Sequence, residues 1–532
     1  MFSVQLDKFH QSNLLGWDLR NFLNKNDFYY KLANKIDWQS LVDGVAPYYG
    51  DPNIGRSAIP LRQMVGLTIV KFVENLSDAR TVTLYSHDPY VQYFCGNDVF
   101  TPQVPCDASS LSNFRTRIGQ AGCQLIFQAS TMIHGDKAME PAVIIDTTAQ
   151  VKNVTFPTDI KLLNKILIKC WKYAKKYGIV LRNKYARLVK ELLRTLRFGH
   201  GKKHSLDVRK ARKSFWTIVG RVLRDLVRKM TADQLKECED ELKLFEKVIN
   251  QTCPVKDPHK NITKVYNIFI EYIEFLKEIF EAFGLQLGLR MQQDIQSAMD
   301  NFQNAKGKGK QKKLNDANKS LRSIIRAMIK KIKKSLVRTQ LSEIAIDLAD
   351  IIQTIKNPIK DDRIYSLHEP GVACITKGKA GVKHEYGSKA SVAVTKDSGI
   401  IVGAKNFQGN PHDGNTVKET IENVEETTGQ KPEVAYVDRG YQGAQEKNPD
   451  IVISMPSSPT SDMSEDDKKE ARKNFGRRSS VEPLIGHLKS DFRLARTYLK
   501  GAVGDAINLL MSCAAYNFKK WFNLMKAELN SA

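Results

Sequence analysis

Arg478-Ser-Ser-Val-Glu482-Pro-Leu-Ile-Gly-His-Leu-Lys489 is the stretch whose reading decides the fold. It sets one carboxylate four residues after one cation and seven before another. On a helix turning by about 100° per residue these offsets nearly superpose. The same register continues to Arg496, eighteen residues from Arg478, while Leu484 and Leu488 fall elsewhere and can face a core. A cationic line carrying one acid suits a phosphate polyanion, because the cations position a nucleic-acid backbone and the acid holds a metal that activates it. The same letters carry a second reading. Ser479-Ser-Val-Glu482 matches a capping box, in which Glu482 ties down a helix start, and Pro483 supports a boundary there.

One glutamate cannot hold a catalytic metal pair, so partner acids are required. Ala142-Val-Ile-Ile145 is a short apolar run that ends in Asp146. Glu433-Val-Ala-Tyr-Val437 ends in Asp438, followed by Arg439-Gly-Tyr-Gln-Gly443, whose glycines permit a tight turn beside the acid. Both read as buried strands that deliver an aspartate at their carboxyl end. Asp159 is a rival carboxylate near the first. Three carboxylates on two strands and a helix make an oxygen-only site, which favours Mg²⁺ or Mn²⁺ over zinc.

These pieces together resemble the DDE-type insertion-sequence transposases of the IS-four/IS-five superfamily, found in bacteria and archaea. The family signature near the last acid is Tyr-x2-Arg-x3-Glu-x6-Lys; here it reads Phe475, Arg478, Glu482 and Lys489, with a ring but no hydroxyl at the first position. Tyr436-Val-Asp-Arg-Gly-Tyr-Gln-Gly443 also resembles the family, as does Pro60 to Arg117 with its Phe94-Cys-Gly and Pro105-Cys-Asp-Ala-Ser pieces. The resemblance implies an RNase H-like catalytic core, in which Asp146, Asp438 and Glu482 bind two Mg²⁺ or Mn²⁺ ions while Arg478 and Lys489 position phosphates. It implies cleavage of element ends and joining of the freed 3′ hydroxyls to target DNA. Its partners are then the terminal inverted repeats, target DNA and a second copy in a homodimer. Two other functions use the same residues: an RNase H-like nuclease that stops at hydrolysis, and a DNA-binding derivative without chemistry.

Composition sets the domain plan. A chain of 532 residues is too long for one ordinary core. The net charge of +24 points to a polyanionic partner. From Thr158 to Lys360 there are 45 Lys+Arg against 21 Asp+Glu, an excess equal to that of the whole chain. This region lies between Asp146 and Asp438, 292 positions apart, and reads as an insertion into the catalytic sheet. Apolar residues recur in it at three and four (Leu242, Phe245, Ile249; Val265, Phe269, Tyr272, Leu276, Ile279, Phe283), which predicts a bundle of long helices. Its glycine-lysine stretch offers Lys306, Lys308, Lys310, Lys312 and Lys313 as DNA contacts, and Lys330 to Lys334 is a second basic run. Elsewhere Arg115, Arg117, Arg493 and Arg496 are the candidate DNA-binding residues.

The expected architecture is α+β or α/β. A helical DNA-binding domain spans residues 1–135, a mixed catalytic sheet 136–157 and 361–500, the helical insertion 158–360, and a closing helix 501–532. Within the second catalytic segment, 389–395 and 399–406 read as a hairpin, 415–428 as a helix and 451–455 as a strand. The breaker-rich 456–467 reads as a loop beside the site. At the other end, 60–76 is an apolar helix, Ser77 caps the next, and 107–118 forms a third. Eight cysteines without any Cys-x2-Cys spacing read as reduced thiols. The absence of a signal peptide or an eighteen-residue apolar run leads to the expectation of a cytoplasmic, nucleoid-associated protein with no membrane contact.

Overall fold

The structure is a computed structural model that describes residues 18–48, 59–198, 206–253, 260–305, 310–336, 344, 347–348, 351–352, 363–376, 384–441, 443–456, 476 and 478–531. The chain divides into two compact units, residues 1–156 with 368–532 and residues 157–367.

The first unit is built on a six-stranded mixed sheet. Its strands are β1 (Ala142–Val151), β2 (Ala373–Thr376), β3 (His384–Thr395), β4 (Ile401–Phe407), β5 (Val434–Tyr436) and β6 (Val452–Ser454). β3 pairs antiparallel with β1, β2 and β4, whereas β1, β5 and β6 run parallel to one another. The predicted hairpin is thus β3–β4, and the strand expected at 451–455 is β6. The short strand β2 was not foreseen. Only four residues, Ala-Cys-Ile-Thr, form it, too few for a periodic signal.

Five helices position this sheet. α1 (Leu61–Val73) and α2 (Ala108–Met132) come from the N-terminal region; α3 (Val417–Thr428), α4 (Val481–Ser490) and α5 (Gly501–Ser531) follow the sheet strands. α2 begins at Asp107, whose carboxylate accepts from the Ser109 amide, and bends at Gly119, where φ is 59°. Side chains alternate along β1 and serve two cores. Val143 and Ile145 pack with Val417, Ile421, Val437 and Tyr441 on the α3 side. Ile144 faces the other side, with Phe114, Leu484, Leu488, Leu509 and Phe518. Gly403 of β4 lets α3 approach, since a Cβ there would lie 2.6 Å from Val424.

This shared core corrects the expected domain plan. The N-terminal helices are not a module apart, because Leu32, Phe72, Phe94 and Phe127 belong to the same cluster as Val392 of β3 and Met511 of α5. Buried polar bonds tie the layers as well: Gln124 donates to Thr427, and Asn517 of α5 donates to the Ile401 carbonyl. The closing helix is a central pillar of this unit rather than an appendage, with Leu509, Leu510, Cys513, Ala514 and Phe518 buried.

Among its described residues the second unit has only helices as regular structure, around two main apolar cores. Helices Asp159–Lys176, Ala186–Phe198, Leu206–Lys229 and Glu239–Gln251 surround Ile166, Phe215, Val222 and Phe245. Helices Lys260–Ala282, Leu289–Gln303 and Lys310–Ser335 surround Phe269, Leu276, Ile325 and Met328. The residues predicted to be apolar anchors, Leu242, Phe245, Ile249, Phe269, Leu276 and Ile279, are buried. Among the described residues, no two cysteines are joined by a disulfide. Among the described residues, no helix is long and apolar enough to cross a membrane.

Candidate active site

The parallel pairing of β1 with β5 runs Ala142 to Val434, Val143 to Ala435 and Ile144 to Tyr436. Two residues beyond the last pair stand Asp146 and Asp438, so backbone register carries both carboxylates to the same side of the sheet at the same height. Asp146 does not end its strand, contrary to the sequence reading. β1 runs on to Val151 because its antiparallel partnership with β3 extends from Val143 to Val151. Asp146 stands two residues past the last β1–β5 pair, and the chain runs on to bridge Thr497 at Lys152.

Asp146 is half-buried. Its carboxyl is pushed up to about 6, first by burial, with the charge of Asp438 adding to the rise; the Thr147 amide and the charge of Arg478 oppose it. The Thr147 amide donates to Asp146 Oδ1 at 2.8 Å. Asp438 Oδ1 accepts from the Gly440 amide at 2.6 Å as the chain turns through Arg439–Tyr441. Glycine at 440 leaves the Asp438 carboxylate undisturbed. A Cβ there would sit 2.8 Å from Asp438 Oδ1 and 3.5 Å from Asp413 Oδ2.

Glu482 stands in the first turn of α4 and is exposed, its carboxylate 3.8 Å from the Arg478 guanidinium. The capping-box alternative is absent. The N-cap is Ser480 rather than Ser479, and it makes no side-chain capping bond. Glu482 is therefore free of the bland structural role that its spacing allowed. Arg478 stands between the two parts of the constellation, close enough to act on Asp146 and paired with Glu482. Among the described residues, no three acidic, histidine or cysteine side chains converge closely enough to hold a metal ion. The structure thus brings Asp146 and Asp438 together and leaves Glu482 outside them.

Several expected residues move. The stripe from Arg478 to Arg496 is not continuous, because α4 ends at Ser490 and Arg493 turns the chain with φ 68°. Arg496 is exposed beyond that turn, next to Thr497, which bridges to Lys152. Arg493 is half-buried, with its guanidinium 3.4 Å from Asn75. Lys489 lies on α4, half-buried. Arg115 is not a DNA contact. It is 2% exposed and makes two 2.7 Å bonds to the Asp78 carboxylate, so its charge is spent inside the protein. Arg117 is exposed on the same helix. The rival Asp159 belongs to the first turn of a helix in the second unit and pairs with Arg363.

Lys310 opens the helix Lys310–Ser335, and Lys312 and Lys313 are exposed on its first turn. The basic run from Lys330 to Lys334 lies on the same helix with Ile332 buried between its cations. Lys306 and Lys308, Phe475, and the loop expected from 456 onward, save Pro456 itself, lie outside the described residues.

Sequence reasoning missed three neighbours of the site. Asp413 Oδ1 accepts from the Thr147 hydroxyl at 2.7 Å and from Lys389 Nζ at 2.8 Å. Tyr441 is buried against the same carboxylates, which with burial push its phenol well above the usual range. Lys389 was the legible signal. It sits in a strand of small and apolar residues buried on both faces, where a lysine needs an acidic partner.

Two stretches match known families, "Transposase domain (DUF772)" over residues 17–117 and "Transposase DDE domain" over residues 361–518. The second contains Asp438 and Glu482; Asp146 lies before it. A curated protein of Rhizobium meliloti, described as "Uncharacterized protein ORF8 in nfe locus", is 35% identical over 187 residues, 34% of this chain and 89% of that protein. No solved structure matches. With transposase families on both sides of the helical unit, the chain belongs to the insertion-sequence DDE transposases.

Proposed function

We propose that this chain is a transposase of the IS-four/IS-five superfamily that cuts DNA at the ends of its element and joins the freed 3′ ends to target DNA. The observation that carries the reading is the register of β1 and β5, which sets Asp146 and Asp438 side by side two residues past their last pair. The sheet itself, three antiparallel strands continued by two parallel ones on the far side of β1, supports an RNase H-like core.

The donors fit a hard divalent cation. They are oxygen-only, and Mg²⁺ is commonly held by one or two carboxylates, with water and substrate phosphates completing its shell. Burial first, and then the charges of Asp438 and Asp413, raise Asp146. Gly440 keeps a Cβ out of the space between Asp438 and Asp413. Asp146 and Asp438 would hold the ions, with Glu482 completing the set. Bound there, the metal would lower the pKa of the attacking water or hydroxyl and stabilise the leaving oxygen.

The protein's own part is positioning. The Thr147 and Gly440 amides orient the two aspartates. Arg478 and Lys489 place phosphates beside them, and the basic helical unit adds backbone contacts that strengthen binding without reading sequence. The test is cleavage and strand transfer on duplexes carrying the element's ends, with Mg²⁺ or Mn²⁺. Asp438→Asn should bind the duplex and neither cut nor join it. An Asp438→Asn protein that cuts normally would overturn the assignment, and cleavage without joining by the wild type would make the chain a nuclease.

A further inference from the structure

We infer that Asp413, with Lys389 as its counter-ion, is a positioning acid of the catalytic centre, setting Asp146 from the opposite side of the sheet through Thr147. The inference rests on the reading of Asp146 and Asp438 as the metal-holding pair.

The geometry is a short relay. Asp146 and Thr147 are consecutive in β1, so their side chains leave the strand on opposite sides. Thr147 shares its side with Val143 and Ile145, the side covered by α3. There its hydroxyl donates to Asp413 Oδ1 at 2.7 Å, while its amide donates to Asp146 Oδ1 at 2.8 Å. One residue thus links the two carboxylates. Lys389 holds Asp413 in turn, with Nζ 2.8 Å from the carboxylate and 2.5 Å from the Pro411 carbonyl. The remaining oxygen, Asp413 Oδ2, faces the Gly440 turn that fixes Asp438. Asp413 therefore touches the supports of both aspartates.

Two observations separate this from a packing detail. Tyr441, 1% exposed, lies among Asp146, Asp413 and Asp438, with its hydroxyl against the Thr147 side chain. The same buried ring thus borders Thr147 and all three carboxylates. Lys389 is buried and Asp413 half-buried, and an ion pair drawn out of water adds little net stability because desolvation offsets the attraction. Partners that orient metal-ligating groups do matter to affinity, and their loss typically weakens metal binding or activity about 10–100-fold.

The experiment uses the full chain with Asp413→Asn, Lys389→Met, the two combined, Thr147→Val and Asp438→Asn. Mn²⁺ binding is measured without DNA by electron paramagnetic resonance, alongside the Mn²⁺ concentration for half-maximal end cleavage and the melting temperature. Lys389→Met alone should destabilise the fold by stranding Asp413, and the double variant should melt near the wild type. The double variant and Thr147→Val should nonetheless weaken Mn²⁺ binding and shift the cleavage midpoint upward by about 10-fold or more. Wild-type Mn²⁺ affinity in the folded double variant would overturn the inference. A loss as complete as that of Asp438→Asn would also overturn it, by making Asp413 a direct ligand. Normal Mn²⁺ binding and cleavage by Asp438→Asn would instead remove the underlying reading of the centre.

Discussion

The carboxyl edge of the β1–β5 ladder and the basic helical unit handle charge in opposite ways. Past the last β1–β5 pair, Asp438 and Asp413 are near enough to raise Asp146, and each of the three carboxylates is fixed by a named backbone or side-chain donor. In the helical unit a surplus of 24 cations is spread over residues 158–360, and those near its described basic runs are exposed on helix faces above apolar cores. Like charges held together raise each other's energy and call for a cation; like charges spread apart raise a long-range field. The first arrangement depends on position and the second on number. Substitutions should therefore act sharply at the edge and gradually in the helical unit.

The largest effect is expected at the edge. Asp146→Asn removes one of two register-fixed carboxylates and should reduce end cleavage by at least about 10³-fold, within the range that a single positioned catalytic group contributes. Duplex affinity should hold within a few-fold. Filter binding beside single-turnover cleavage checks both, and parallel loss of the two would erase the distinction between the regions.

Glu482→Gln comes next and tests the part of the constellation that the structure keeps apart. Glu482 is exposed and stands 3.8 Å from the Arg478 guanidinium, so its change should leave the melting temperature unmoved. Cleavage should nevertheless fall by about 10²-fold or more. A silent Glu482→Gln would confine the chemistry to the sheet edge.

Acid should find the sheet unit's own weak point. His134 Nε2 is 3.1 Å from the Asn517 carbonyl, at the joint between the N-terminal helices and α5. Burial lowers this imidazole from 6.5 to about 4, and Lys520 and Lys137 add to the fall. The fold thus prefers neutral His134. Its contribution is present in full above 6.5 and is lost as the pH falls towards 4, where the unfolded chain binds the extra proton. The loss is up to about 3 kcal/mol. Urea unfolding of the wild type should weaken across that window, and His134→Gln should flatten the slope; equal slopes would place the acid sensitivity elsewhere.

How much of this was readable beforehand follows the same division. Asp146 and Asp438 were legible because a strand shows its apolar run locally, and the acid after it stands out. The hairpin β3–β4 and α3 followed from alternation, turn residues and helical spacing. Asp413 was not legible, since it gains its role from Thr147 and Lys389, 266 and 24 positions away. Arg115 misled for the converse reason. A surface-looking arginine became a buried partner of Asp78, 37 positions away, which no local pattern encodes. The Arg478–Arg496 line failed because periodicity assumes an unbroken helix, and the chain reverses after Ser490. The domain boundary at 135 failed because a shared core is a property of packing, and the N-terminal helices read as amphipathic whatever they pack against.

Lys489→Ala lies between the two regimes, since Lys489 is half-buried on α4 and shares a face with Glu482. It should raise the end-DNA concentration needed for half-maximal cleavage by several-fold, with a smaller change in the rate at saturation. Loss confined to the saturated rate would move Lys489 into the chemistry itself.

The smallest effect is expected in the helical unit, at Lys312 and Lys313 on the exposed first turn of the helix Lys310–Ser335. Changing both to Gln leaves the apolar face of that helix intact, with Leu314, Leu321 and Ile325 still buried. If each contacts a phosphate of duplex DNA, the slope of log affinity against log salt should shrink by roughly 0.9 per lost contact, or by about 1.8 in total. The loss should be equal for element ends and unrelated duplexes, because phosphate contacts position a protein without reading sequence. Cleavage at saturating DNA should be unchanged. Binding across a salt series checks the slope, and sedimentation of the same samples checks assembly. An unchanged slope with altered sedimentation would show that these cations serve subunit contact, and the distinction between a centre built on position and a unit built on number would then need a different source for its field.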